Sequence, residues 1–160
     1  MFEGKKEEIE QRVVEINRVA RVTAGGRRFS FRALVIAGDK KGNVGMGIGK
    51  ATDVTEAVNK AGRQGIKHMI ALPLIDGTIP FEMTTRFKMT KILLKPVPKG
   101  RGIVAGGVVR DICELAGVQN INAKILSASK NKINNAKAVL RAFKKMKQIY
   151  GAKQSMQVKL

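Results

Sequence analysis

No acidic residue follows Glu114, yet ten cations do: Lys124, Lys130, Lys132, Lys137, Arg141, Lys144, Lys145, Lys147, Lys153 and Lys159. A stretch of this length with one sign of charge repels itself and resists closing into an isolated compact lobe. The layout calls for a polyanion. Nucleic acid is the first candidate and an anionic membrane surface the second. The whole chain follows the same trend, since 31 Lys and Arg against 12 Asp and Glu leave a formal net charge of +19.

A length of 160 residues suits one ordinary domain or two small ones. Apolar residues make up 44%, so a core is available, but either half alone has a small one and leans on partners. Cys113 is the only cysteine, which excludes an internal disulfide and fits a reducing compartment. The opening MFEGKKEEIE lacks the apolar centre of a signal peptide, and no apolar run reaches the roughly 18 residues of a helical membrane span.

Periodicity sets out the elements. Residues 1–12 read as a charged arm and 13–22 as a strand with partial alternation. Thr23 to Arg28 is a turn in which the paired Gly25 and Gly26 supply positive φ. Phe29 to Ala37 is a strand with Phe29, Phe31, Ala33 and Val35 on one face. Both phenylalanines are expected in the core, with base stacking the lesser alternative, since Arg27 to Phe31 partly mimics the aromatic strand of an RNA-recognition motif. After a turn at 38–43, Val44 to Ile48 is a third strand, thinned by Gly45, Gly47 and Gly49. A helix follows, with Asp53 and Glu56 in capping-box spacing. Val54, Val58, Ala61, Gly65 and Met69 mark its inner side, and Lys60, Arg63 and Lys67 its outer side. Residues 73–80 link the halves.

The second half reads as strand material over 81–95, broken near 84–88, and then a Pro-Gly stop at 96–102. A helix over 106–116 buries Val109, Ile112, Cys113 and Ala116 and ends at Gly117. A strand over 121–127 precedes a last helix over 133–149, whose stripe is Ala136, Val139, Leu140, Phe143, Met146 and Tyr150. The expected fold class is α+β, with two small lobes of order βββα and β(β)αβα. The lobes span 8–72 and 80–150, with flexible ends at 1–7 and 151–160.

Two glycine motifs invite an enzymatic reading and fail its spacing tests. Gly45 to Lys50 lacks the glycine a P-loop needs at Val44 and the hydroxyl it needs at Ala51. The alternative is a strand that another element approaches closely. Gly100-Arg101-Gly102-Ile103-Val104-Ala105 fits a dinucleotide loop, but the window where the ribose-binding acid belongs holds Asn120 and Asn122. A turn whose amides and Arg101 meet an RNA phosphate is the preferred reading. His68 is the only histidine, so no zinc set and no histidine triad can form within the chain, and no carboxylate pair suits acid–base work. No catalytic residue, metal, cofactor or small-molecule substrate is expected. The last helix carries Lys137, Arg141, Lys144 and Lys145 on its polar side. Its apolar stripe is no wider than a core face and carries no Trp, which favours packing with cations toward RNA over lying on a membrane.

The order of several motifs is familiar. Asn17-Arg18-Val19, Gly25 to Phe31, Gly38-Asp39 and Gly45 to Lys50 resemble the N-terminal half of bacterial ribosomal small-subunit protein five. Gly100 to Gly107, Leu115 to Val118, Ala123-Lys124 and Asn131 to Asn134 resemble its C-terminal half. The resemblance runs from about residue 8 to 147. It implies an N-terminal lobe like a double-stranded-RNA-binding domain and a C-terminal lobe of the fold named after that family's second domain.

It also implies binding to small-subunit ribosomal RNA near the decoding region, an effect on decoding accuracy, and contacts with ribosomal proteins four and eight and with the region where messenger RNA enters. The spectinomycin-site loop maps onto Val22 to Arg28. The face toward protein four maps onto Gly100 to Arg110, with Gly100, Gly102, Gly106, Gly107 and Arg110 as interface residues. Two positions depart from the family pattern, Arg101 for its usual Thr and Lys132 for its usual Pro, and both add charge. Charge and resemblance together give the expected RNA contacts. These are Arg18, Arg21, Gly25, Gly26, Arg27, Arg28, Lys50, Lys60, Arg63, Lys67, Lys99, Arg101, Lys130, Lys132, Lys137, Arg141, Lys144 and Lys145.

Overall fold

Two long strands open the fold and carry its main projection. The structure, a computed structural model, describes residues 8–157, with side-chain environments through Lys153. The expected loose ends at 1–7 and 158–160 lie outside the described residues. β1 (Glu10–Thr23) and β2 (Gly26–Gly38) pair antiparallel from Glu10 opposite Gly38 to Thr23 opposite Gly26. β1 begins inside the segment read as an arm, because a bulge between Val13 and Glu15 interrupts the alternation that would have announced it. β3 (Asn43–Ala51) joins β2, and β4 (Ile70–Ala71) completes an antiparallel sheet of order β1-β2-β3-β4.

α1 (Val54–Lys67) lies against one face of this sheet at unusually short range. A Cβ added at Gly45, Gly47 or Gly49 would overlap the carbonyl oxygens of Gly65, Ala61 and Ala57 respectively. The helix answers with an equally small face, burying Ala57, Ala61, Gly62 and Gly65, while Val54 and Val58 flank it half-buried. The inner side is therefore centred on small residues rather than on the valines that hydropathy singles out. The glycine strand is the closely approached one, and its visitor is the chain's own helix. The capping box does not form: Asp53 has N-cap backbone angles, but its side chain bonds no helix amide.

The second half contains β5 (Met83–Phe87), β6 (Thr90–Pro96), β7 (Ile103–Val104), α2 (Gly107–Leu115), β8 (Ile121–Ile125) and α3 (Lys132–Gln157). Its sheet has the order β5-β6-β8-β7, antiparallel except where β7 runs parallel to β8. The break expected near 84–88 falls later than that: Thr84 to Phe87 are paired strand, and the tight turn is at Lys88 and Met89, with Lys88 at φ 52°. β4 and β7 have two residues each, too short for any period to register. The α+β class with two sheet-bearing lobes is the observed architecture. α3 continues to Gln157, past the expected end at Ile149 and through the segment read as a tail. Gly151 costs a helix interior only about 1 kcal/mol relative to Ala, which a long packed helix absorbs.

The larger of the two buried clusters does not divide between the halves. Ile36, Val44 and Leu72 from the first half share one buried cluster with Ile79, Leu94, Ile112, Leu115, Ile121, Phe143 and Met146 from the second. Each small half leans on the other. The 38–42 turn docks on the end of α2, where the Lys40 amide donates to the Leu115 carbonyl at 3.0 Å and the Gly42 amide to that of Ala116 at 2.9 Å. Arg12 of β1 reaches Asp111 and Glu114 of α2, each at 2.8 Å. Glu114 also accepts from Arg110 at 2.8 Å. Arg12 first and Arg110 second hold the Glu114 carboxyl below its ordinary value of 4.5, and Glu114 and Asp111 in turn hold the Arg12 guanidinium more firmly protonated.

Candidate nucleic-acid interface

The β1–β2 hairpin projects past the cover of α1. Alternation divides its cations between two faces. Arg18, Arg27 and Phe29 stand on the α1 side, and Arg21, Arg28 and Arg32 on the other. On that second face Arg21 lies directly opposite Arg28, and Arg32 directly opposite Lys50 of β3. Like charges placed opposite each other destabilise a sheet. Two such pairs in one small sheet are a cost that an anion bound across them removes.

Phe29 departs from the core reading. It is 46% exposed because the hairpin outruns α1, and the Arg18 guanidinium covers its ring at 3.8 Å from the centroid. Phe31 is half-buried against the small cluster of Ala33, Val35, Ala57 and Ala61. At the tip only Gly26 of the glycine pair has positive φ, at 140°, and neither glycine has anything within 4 Å of where a Cβ would stand. Val22 beside them is 78% exposed. The tip is small residues, an exposed valine and arginine.

The remaining expected contacts lie on other surfaces. Lys60, Arg63 and Lys67 are exposed on the outer side of α1, and Lys137, Arg141, Lys144 and Lys145 are exposed along α3. Lys130 and Lys132 precede and begin α3, with Lys132 at 3.9 Å from Glu15 of β1. Lys99 lies 3.5 Å from Asp76, so both it and Lys132 have a carboxylate at hand. Arg101 is exposed at the head of the 100–102 turn. Gly100, Gly102 and Gly107 have positive φ, and together with Gly106 they leave open space around them.

The sequence of both halves also matches family models. Residues 9–73 match Ribosomal protein S5, N-terminal domain, and residues 85–155 match Ribosomal protein S5, C-terminal domain. The chain is 47% identical over 146 residues to small ribosomal subunit protein uS5 of Thermotoga neapolitana, covering 91% of this chain and 82% of that one. It is 51% identical over 132 residues to the protein of the same name from Lawsonia intracellularis, covering 82% and 78%. With that of Chloroflexus aurantiacus it shares 42% over 143 residues, covering 89% and 80%.

The chain belongs to the ribosomal protein S5 family.

Within this S5 chain, one expectation about the second glycine loop is corrected. The amides of Gly100 and Gly102 do not face outward to meet a phosphate. Both donate to Oδ1 of the buried Asn120, each at 3.1 Å, while the Ile121 amide donates to the Gly102 carbonyl. Asn120 thus occupies the chain position where a dinucleotide fold keeps an acid, and it holds the loop shut from inside. Only Arg101 is left to face outward.

Two further residues were missed. Arg32 completes the basic face of the hairpin, and its period-2 spacing from Arg28 was the signal that could have found it. Asn131 accepts the Asn134 amide through its side chain at 3.2 Å, which caps α3.

Proposed function

We propose that this S5-family chain is a structural constituent of the small ribosomal subunit that binds ribosomal RNA near the decoding region, in the cytoplasm where that subunit works. The observation that carries the RNA reading is the pair of like-charge cross-strand contacts, Arg21 with Arg28 and Arg32 with Lys50, exposed or half-exposed on one sheet face. A fold that gains nothing internally from such pairs gains from a polyanion laid across them.

The mechanism is architectural. The hairpin, the outer side of α1 and the polar side of α3 neutralise phosphates on separate RNA segments, and the large buried cluster shared by both halves fixes the geometry between them. Phosphate contacts set position, and RNA shape rather than base edges supplies specificity. The units 8–72 and 80–150 divide this work. The open surface at Gly100, Gly102, Gly106, Gly107 and Arg110 is the face toward ribosomal protein four. Contacts with protein eight and with the path of incoming messenger RNA complete the partners, and supporting decoding accuracy is the consequence.

A salt titration of binding to small-subunit ribosomal RNA tests this. Neutralising ~6–10 phosphates predicts a fall in affinity of ~10³–10⁵ between 50 and 200 mM salt. A flat response over that range would remove phosphate neutralisation as the basis of binding.

A further inference from the structure

We propose that the groove between the two lobes seats one unpaired nucleotide of RNA, with its base on an apolar floor and its phosphate on the α3 wall. This rests on the RNA-binding reading above and adds a specific kind of contact to it. The groove is open to solvent and offers about 530 Å³ between β3, the end of α1, and α3. Pockets of ~300–1,000 Å³ take ligands of small-molecule size.

Its floor is Met46 and Ile48, on the β3 face turned away from α1, with Ile70 of β4. Its wall is Lys137, Arg141 and Lys144, which recur at helical spacing along one side of α3, and Lys147 extends that side beyond His68. At 1.5 Å per residue, Lys137 to Lys147 spans ~15 Å. No carboxylate lines the groove, and among the described residues none pairs with these cations.

A purely phosphate-binding surface needs the cations but has no use for the floor. Paired bases sit inside a duplex and cannot reach it. An unpaired base exposes two apolar faces and a polar edge, and the groove has a counterpart for each. The polar counterparts come from α1. Gln64 accepts the Ile48 amide through Oε1 at 2.8 Å, and its amide nitrogen has no partner among the described residues. His68 Nδ1 lies 2.9 Å from the Gln64 carbonyl, which can only accept. In the neutral ring Nδ1 therefore carries the proton, and Nε2 is an acceptor. Both residues line the groove, so a donor and an acceptor are at hand for the polar edge of a base.

Continuity favours RNA over an acidic, apolar peptide as the occupant. On the same face of β3, the next residue beyond Ile48 is Lys50. It lies opposite Arg32, which leads along β2 to Arg28 and Arg21. A strand lying on the hairpin therefore runs into the groove past Arg21 and Arg28, then the uncharged Ser30 and Val19, then Arg32 and Lys50.

The test compares binding of the whole chain to a short RNA duplex with a single bulged 5-bromouridine against binding to the fully paired duplex. The bulged duplex is expected to bind about tenfold tighter or more, the size of one stacked base. Irradiation is expected to crosslink it to peptides carrying His68 or Phe87, which also lines the groove, and His68→Ala to shrink the preference. Equal affinity for both duplexes, with crosslinks confined to the hairpin, would overturn the groove assignment and leave the RNA reading standing. Failure of both duplexes to bind would overturn both. Displacement of the groove crosslink by a leucine- and glutamate-rich peptide, at lower concentration than unlabelled bulged duplex, would assign the groove to a protein instead.

Discussion

Arg27 and Arg28 point to opposite faces of the same hairpin tip, and neither has an internal partner among the described residues. Replacing both with Ala removes charge without removing packing. RNA affinity is expected to fall and the salt slope to drop by about 2, with no decrease in melting temperature. Filter binding and thermal denaturation read the two effects separately, and unchanged affinity would take the tip out of the interface. Asn120 is the opposite kind of residue. Asn120→Ala leaves the amides of Gly100 and Gly102 unpaired, which costs about 1–3 kcal/mol. Faster hydrogen exchange at those two amides would accompany the loss.

The arginines of the tip were legible because charge next to a glycine turn is a local signal. Asn120 was not, because its role depends on a loop far away in the chain. Phe29 misled for a related reason: alternation places a side chain on a face, but not inside the reach of the helix that covers that face. Arg18 over its ring turns an exposed apolar residue into part of a cationic surface.

At the level of elements, the glycine strand decides how α1 packs. Gly47→Ala would drive a methyl into the Ala61 carbonyl, and backbone must move to admit it. The expected cost is at least the ~1–3 kcal/mol of an overpacked core, read as a lowered melting temperature. A stable Gly47→Ala chain would mean that α1 sits farther out than described.

The long elements were legible from their periods, including the buried stripe of α3 and the apolar face of α2. β4 and β7 were not, since pairing partners rather than their own two residues define them. The true ends of β1 and α3 were hidden by a bulge and by a tolerated glycine. The Asp53–Glu56 spacing was a false signal, because packing on the sheet holds α1 without a side-chain cap.

At the scale of the whole molecule, the two halves share one large buried cluster, and Arg12 forms an ionic joint between them with Asp111 and Glu114. Glu114 sits below its ordinary 4.5 in the folded chain because of Arg12 and then Arg110. A depressed carboxylate contributes stability that is complete above the unfolded value and is lost as pH falls through the folded one. The melting temperature is therefore expected to fall more steeply below pH 4.5 in the parent chain than in Arg12→Ala. The groups are about a third exposed, so the joint is worth about 1 kcal/mol or less at neutral pH. Identical acid slopes would mean that the joint carries no stability.

The α+β class was legible from the order of elements, and the polyanion partner from the acid-free end. The shared core was not, since hydropathy does not say which half a buried residue meets.

Sedimentation of a tagged copy from cell lysate at low magnesium, where ribosomal subunits separate, tests the central claim most directly. The tag is expected to travel with the small subunit and to leave it only at high salt. A tag that stays at the top of the gradient, free of RNA, would contradict it.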